Sequence, residues 1–173
     1  SVIQSIQSIV TYCLERTELC DEVYCQLVRQ VTNNPSPEQQ LRGWQLLAIC
    51  AACFSPSKRL YRYVLAFMMT HQADSVVGAT AVWAMDALKR TKLHDHKRRS
   101  PPSVVEINAI RELQPIICRF FFLDNKAKAL GVHPCWTARD VINDLASKIG
   151  LQNTDGWALF ESTPQTEHFV RGT

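Results

Sequence analysis

Glycine is scarce in this chain, six residues in 173, and none of the six builds a phosphate-cradling loop. Neither GxSxG nor HExxH occurs, so there is no nucleophile elbow and no zinc-protease helix. Long apolar runs are missing too. Nothing approaches the roughly 18 consecutive apolar residues that span a bilayer, and the opening SVIQSIQSIVTYCLERTEL lacks the basic start and cleavage site of a secretory signal. It reads as a helix that begins inside a domain, as in a fragment. Cys50-Ala-Ala-Cys53 has CxxC spacing, but a structural zinc needs four ligands and no second CxxC or HxxxH accompanies it. Its setting, LLAICAACF, is that of a buried helix in which cysteine serves as a small hydrophobe. His94-Asp95-His96 sits in a basic run and reads as solvated rather than ligating, and His71, His133 and His168 stand alone. Asn34-Pro35-Ser36 cannot accept a glycan because proline fills the middle position. No catalytic residue, cofactor or metal ligand is therefore assigned. Seven cysteines, an odd number lying mostly on apolar helical faces, suit a reducing compartment, so the cytoplasm is the expected address.

What the chain does have is helical periodicity. Leu19, Val23, Leu27 and Val31 recur every four residues, with Tyr24 and Val28 widening the stripe. Asn33-Asn34-Pro35-Ser36-Pro37 stops that helix, and a second one runs from about Glu38 to Phe54. The short connection predicts an antiparallel pair with Leu27 near Trp44 and Tyr24 near Leu47. Gly43 beside Trp44 predicts a close helix contact. Residues 2–16 form an amphipathic helix ahead of this hairpin. Helices over about 58–71, capped by Ser57, and 75–92, rich in alanine and so central, come after it.

Arg99-Ser100-Pro101-Pro102 marks a boundary, and Ser103 to Glu106 is a capping box opening a short helix over 104–112. Being too short to stand alone, that helix is expected to dock across both parts. From Pro115 the period changes. Ile116–Leu123 and Ala127–Val132 read as a hairpin about Asp124-Asn125-Lys126, Thr137 to Ile149 as a capped helix ended by Gly150, and Trp157–Phe160 as a third strand. This is the opening of a ubiquitin-like roll, with its last strands missing or reduced to residues 161–173. The fold class is α+β: an all-α helical bundle over 1–100, a linker helix over 101–114, and a partial β-grasp lobe over 115–173. Trp44, Trp83, Phe120 and Trp157 read as core, whereas Trp136 either meets a partner or closes the lobe.

LERTELCDEVYCQLVRQVTNNPSPEQQLRGWQLLAICAACFSPS resembles the central part of the myosin tail homology 4 domain, down to the D-E-V-Y-C-Q-L, N-P, R-G-W-x-L-L and F-x-P-S elements. RRSPPSVVEINAI is similar to the joint leading into a FERM region, and IICRFFFLDNKAKALGVHPCWTARDVINDLASKIGL to the first, ubiquitin-like FERM lobe. The chain departs from the family's pattern in starting after its first helices, in lacking the second and third FERM lobes, and in carrying Cys20 where a basic residue is usual. The resemblance implies a non-catalytic tail module of an unconventional myosin, of classes VII, X or XV, binding cargo peptides, partner proteins or microtubules and coupling them to the motor. It is similar, more weakly, to a plant kinesin tail and to membrane-associated signalling adaptors.

The net charge of +3 is small but unevenly placed, with KRTKLHDHKRR at 89–99 holding six basic residues and one acidic. With Lys58, Arg59 and Arg62 on the helix beginning near residue 58, Lys89, Arg90, Lys92, Lys97, Arg98 and Arg99 are the candidate partner-binding residues. Two readings stay open, a solvated loop or a cationic patch for acidic cargo, the acidic tails of tubulin or an anionic membrane surface. Nucleic acid is not expected, since aromatics do not interleave with the run.

Overall fold

A computed structural model of the chain describes residues 1–94, 98–163 and 166–170, excepting the side chains at 94 and from 162 onward. It divides into two units, Ser1–Gln114 and Pro115–Thr173. Residues 101–114, read from the sequence as a linker, are grouped with the helices.

The first unit is six helices: α1 Val2–Glu15, α2 Leu19–Val31, α3 Pro37–Cys53, α4 Lys58–Thr70, α5 Gly78–His94 and α6 Val104–Glu112. Several boundaries have a chemical cause. Ser1 and Gln4 form a capping box at α1. After α2, Asn33 takes a left-handed φ of 51°, and the Asn34 side chain accepts from the Ser36 N–H at 2.9 Å, folding the chain back. Ser36 then caps α3, with Pro37 as its first residue. Helix α5 begins at Gly78 rather than near residue 75; the turn ahead of it is capped by Asp74, whose Oδ1 accepts from the N–H groups of Val76 and Val77 and whose carbonyl accepts from the Gly78 N–H.

Helix α3 is the centre. Trp44, Leu47, Ala48, Ile49, Cys50, Ala51 and Cys53 are all buried. Against it lies α5, whose Ala81, Ala84 and Ala87 are fully buried and let the two backbones come close. The Tyr24 hydroxyl donates to the Phe54 carbonyl at 2.7 Å, and the two rings meet edge to face at 5.6 Å, fastening α2 to the end of α3. Trp44 stacks on Phe67 of α4 with centroids 5.4 Å apart and also meets His71. Helix α6 lies on the other side of α3, joined by Gln45 Nε2 donating to the Arg111 carbonyl at 3.1 Å.

The second unit opens with the hairpin of β1 Ile116–Phe121 and β2 Ala127–Val132, antiparallel with Ile116 opposite Val132 and Phe121 opposite Ala127. Helix α7, Ala138–Ile149, has a Thr137–Asp140 capping box and ends at Gly150 with φ 78°. Strands β3 Leu159–Thr163 and β4 Thr166–Val170 form a second antiparallel pair within the stretch expected to be reduced. Leu130, Val141 and Leu145 make the core of this unit, with Phe120, Phe122, Val132, Trp136 and Leu159 against it. Trp136 thus closes the lobe. Trp157 is not core but 45% exposed, because its N–H closes a turn on the Thr154 carbonyl and leaves it ahead of β3. Trp83 is half-buried rather than enclosed.

A Cβ built on Gly43 would lie 2.5 Å from Val31 Cγ1, and Val31 is itself fully buried and β-branched, so it cannot swing away. Gly43→Ala is expected to destabilise by about 1–2 kcal/mol in urea unfolding, overpacking outweighing the gain in helix propensity. Adding Val31→Ala to Gly43→Ala should relieve the clash, so that the two losses fail to add.

Candidate partner-binding surface

Two helix ends supply the exposed cations. Lys58, Arg59 and Arg62 are exposed on the first turns of α4, and Lys89 is exposed on the last turns of α5. Lys92 joins them, its Nζ lying over the Tyr61 ring of α4 at 6.0 Å, and Arg62 lies over Tyr63 at 5.1 Å. The start of α4 carries no acidic residue in its first turn. Cations there oppose the helix dipole, a placement that costs a few tenths of a kcal/mol or more. Asp21 of α2 offsets part of it by accepting from the Ser57 N–H at 2.7 Å.

Two of the candidate basic residues have carboxylate partners within the helical unit. Arg90 is tied to Asp86 at 2.8 Å within its own helix. Arg98 is half-buried and paired with Glu106, and its Nε donates to the Ser100 carbonyl at 2.9 Å. Its charge therefore clamps the entry to α6 instead of facing a partner. Arg99 is exposed, while Lys97 and the His94-Asp95-His96 trio lie outside the described residues or side chains. Sequence reasoning counted charges but could not see that Glu106, eight residues on, would take one of them.

Glu106 has two roles at once: it accepts from the Ser103 N–H at 2.8 Å, closing the capping box of α6, and it binds Arg98. Burial alone would raise its pKa, but the bonds to Arg98 and Ser103 prevail and hold the carboxyl below the usual glutamate range.

Beside Lys92 opens a pocket of about 150 Å³ lined by Leu14, Thr17, Cys20, Cys53, Phe54 and Ser55 among others. Sequence reasoning missed it, since its walls come from α1, α2, α5 and the end of α3 with the turn that follows. The Ser55 Oγ is buried there with no hydrogen-bond partner among the described residues. Burial raises the thiols facing it, Cys20 to about 11 and Cys53 to about 12, so both are neutral. Cys50 is likewise buried and raised. Among the described residues no cluster of His, Cys, Asp or Glu could hold a metal, and no helix is long and apolar enough to cross a membrane.

A helical unit with a cationic helix end, followed by a lobe that opens like ubiquitin, defines a class of tail module. The chain belongs to the MyTH4 domain family: the family's profile matches residues 6–109, and that of the RA like domain matches residues 114–173. It is 36% identical over 145 residues to unconventional myosin heavy chain 6 of Caenorhabditis elegans and 34% identical over 160 residues to Myosin-VIIa of Drosophila melanogaster. These alignments take in 84% and 92% of this chain and 7% of each relative. The rice kinesin-like protein KIN-14I (Oryza sativa subsp. japonica) is 30% identical over 163 residues, 92% of this chain and 13% of its own length. Among solved structures, mutant 2 of the Dictyostelium discoideum Myosin VII MyTH4-FERM MF1 domain superposes with a TM-score of 0.90 at 29% identity, covering 96% of this chain and 35% of that one. The human Myosin 7b C-terminal MyTH4-FERM domain, solved in complex with the harmonin-a PDZ3 domain, gives 0.80 at 28% identity, covering 98% of this chain and 34% of that one.

Because the Glu106 carboxyl is held below its ordinary value of 4.5, its stabilisation is full above that pH and lost as pH falls through the lowered value. Glu106→Gln should therefore lower the urea midpoint at neutral pH, and the gap from the parent should close on acidification below the ordinary value. Parallel denaturation curves across that range measure it.

Proposed function

We propose that the chain is a non-catalytic segment of an unconventional myosin tail. It holds an acidic cargo or cytoskeletal protein, the acidic tails of tubulin among the candidates, and couples it to an actin-based motor in the cytoplasm. The observation that carries this reading is the cluster of Lys58, Arg59, Arg62, Lys89 and Lys92 at two neighbouring helix ends, set against the dipole of α4. The family and the protein-bound Myosin 7b relative support a binding role for the module. An anionic membrane surface would be attracted by the same charge. A second reading puts the same module in a kinesin tail, which the match to KIN-14I favours, or in a motor-less adaptor.

Reversing Lys58, Arg59, Lys89 and Lys92 to Glu together, with Arg90 and Arg98 left intact because they are engaged internally, isolates the surface. Affinity for a glutamate-rich tubulin-tail peptide should fall and its dependence on salt should flatten. Unchanged affinity and unchanged salt dependence would sink the proposal. Retention of anionic vesicle binding alone would favour a lipid surface.

A further inference from the structure

Four positions carry a hydroxyl immediately before proline: Ser36, Ser55, Ser100 and Thr163. They are not equivalent. The Ser36 hydroxyl is engaged as the cap of α3, accepting from the Gln39 N–H at 3.3 Å. Ser55 Oγ is buried, and the Thr163 side chain lies outside those described. Ser100 is exposed in irregular backbone between α5 and α6. Pro101 follows it, which disfavours helix at Ser100 and leaves the acceptor accessible in an extended or turned backbone. Two residues on, the chain is anchored, Pro102 being buried and its carbonyl accepting from Gln7 Nε2 at 3.0 Å. The acceptor therefore stands at the edge of a fixed point.

Two cations precede it. Arg99 is exposed, and Arg98 already reaches the Ser100 carbonyl with Nε while its terminal nitrogen holds Glu106. We propose that Ser100 is a phosphorylation site for a proline-directed serine/threonine kinase, with the new phosphate held by Arg98 and Arg99. The Ser100 hydroxyl oxygen attacks the γ-phosphorus of ATP, the bond to the β-phosphate oxygen breaks, ADP leaves, and the hydroxyl proton passes to the kinase's base. The product carries about −1.5 to −2 charges at pH 7 and three acceptor oxygens, the pattern that arginine forks bind in charge-assisted pairs. A phosphate there competes with Glu106 for Arg98, so the modification acts on the clamp at the start of α6. None of this depends on whether the α4–α5 surface binds an acidic partner.

The test is to incubate the folded chain with a purified proline-directed kinase and ATP and to map the phosphopeptides. Label is expected at Ser100 and should be lost in Ser100→Ala and Pro101→Ala, both on exposed or half-exposed positions where folding is retained. Label confined to other hydroxyls, or gained only after unfolding in urea, would overturn the proposal. A phosphorus NMR titration of the labelled protein tests the arginines. The second ionisation of the phosphoserine, ordinarily near pKa ~6, should be lowered relative to the denatured protein, and Arg99→Gln should return part of that shift. An unshifted phosphate would overturn its pairing with Arg98 and Arg99.

Discussion

Helix α3 has almost no face to give to water along its second half. From Leu47 to Cys53 all residues but Ala52 are buried, so the helix cannot exist without neighbours on every side. That requirement organises the helical unit. α2 reaches it through Tyr24 at Phe54, α4 through Phe67 at Trp44, α5 through a strip of alanines, and α6 through Gln45. Close approach on two of these sides depends on small residues, Gly43 toward α2 and Ala81, Ala84 and Ala87 on α5.

The same enclosure sets the character of the buried cysteines. Cys50 and Cys53 sit where desolvation disfavours the thiolate, and a neutral thiol is a poor ligand and a poor nucleophile. On the outside of the helical unit the distribution of charge is the informative feature. Cations at the start of α4 work against its dipole, and Asp21 of α2 offsets part of that cost.

Most element boundaries were legible because each has a local cause: capping boxes at Ser103 and Thr137, a left-handed Gly150, and proline at the start of α3. α5 began three residues later than its periodicity suggested, after a turn in which Asp74 caps the N–H groups of Val76 and Val77, a feature that apolar spacing does not report. Trp157 was read as core from its composition but lies on a turn, where a large ring is half exposed. The candidate surface was legible only in part. Lys58, Arg59, Arg62, Lys89 and Lys92 are available, whereas Arg90 and Arg98 have carboxylate partners that a count of charges along the chain does not pair with them.

The residues by themselves determined where helices and strands begin and end, which faces are apolar, and which family of tail modules the chain resembles. All of these follow from interactions within a few residues or from ordered motifs. Only the folded arrangement decided which cations face outward and that a pocket opens beside Lys92. It also decided that, of the three described hydroxyls preceding proline, Ser100 is the exposed one. Such properties depend on groups brought together from distant segments, and solvent access is set by what the rest of the chain covers.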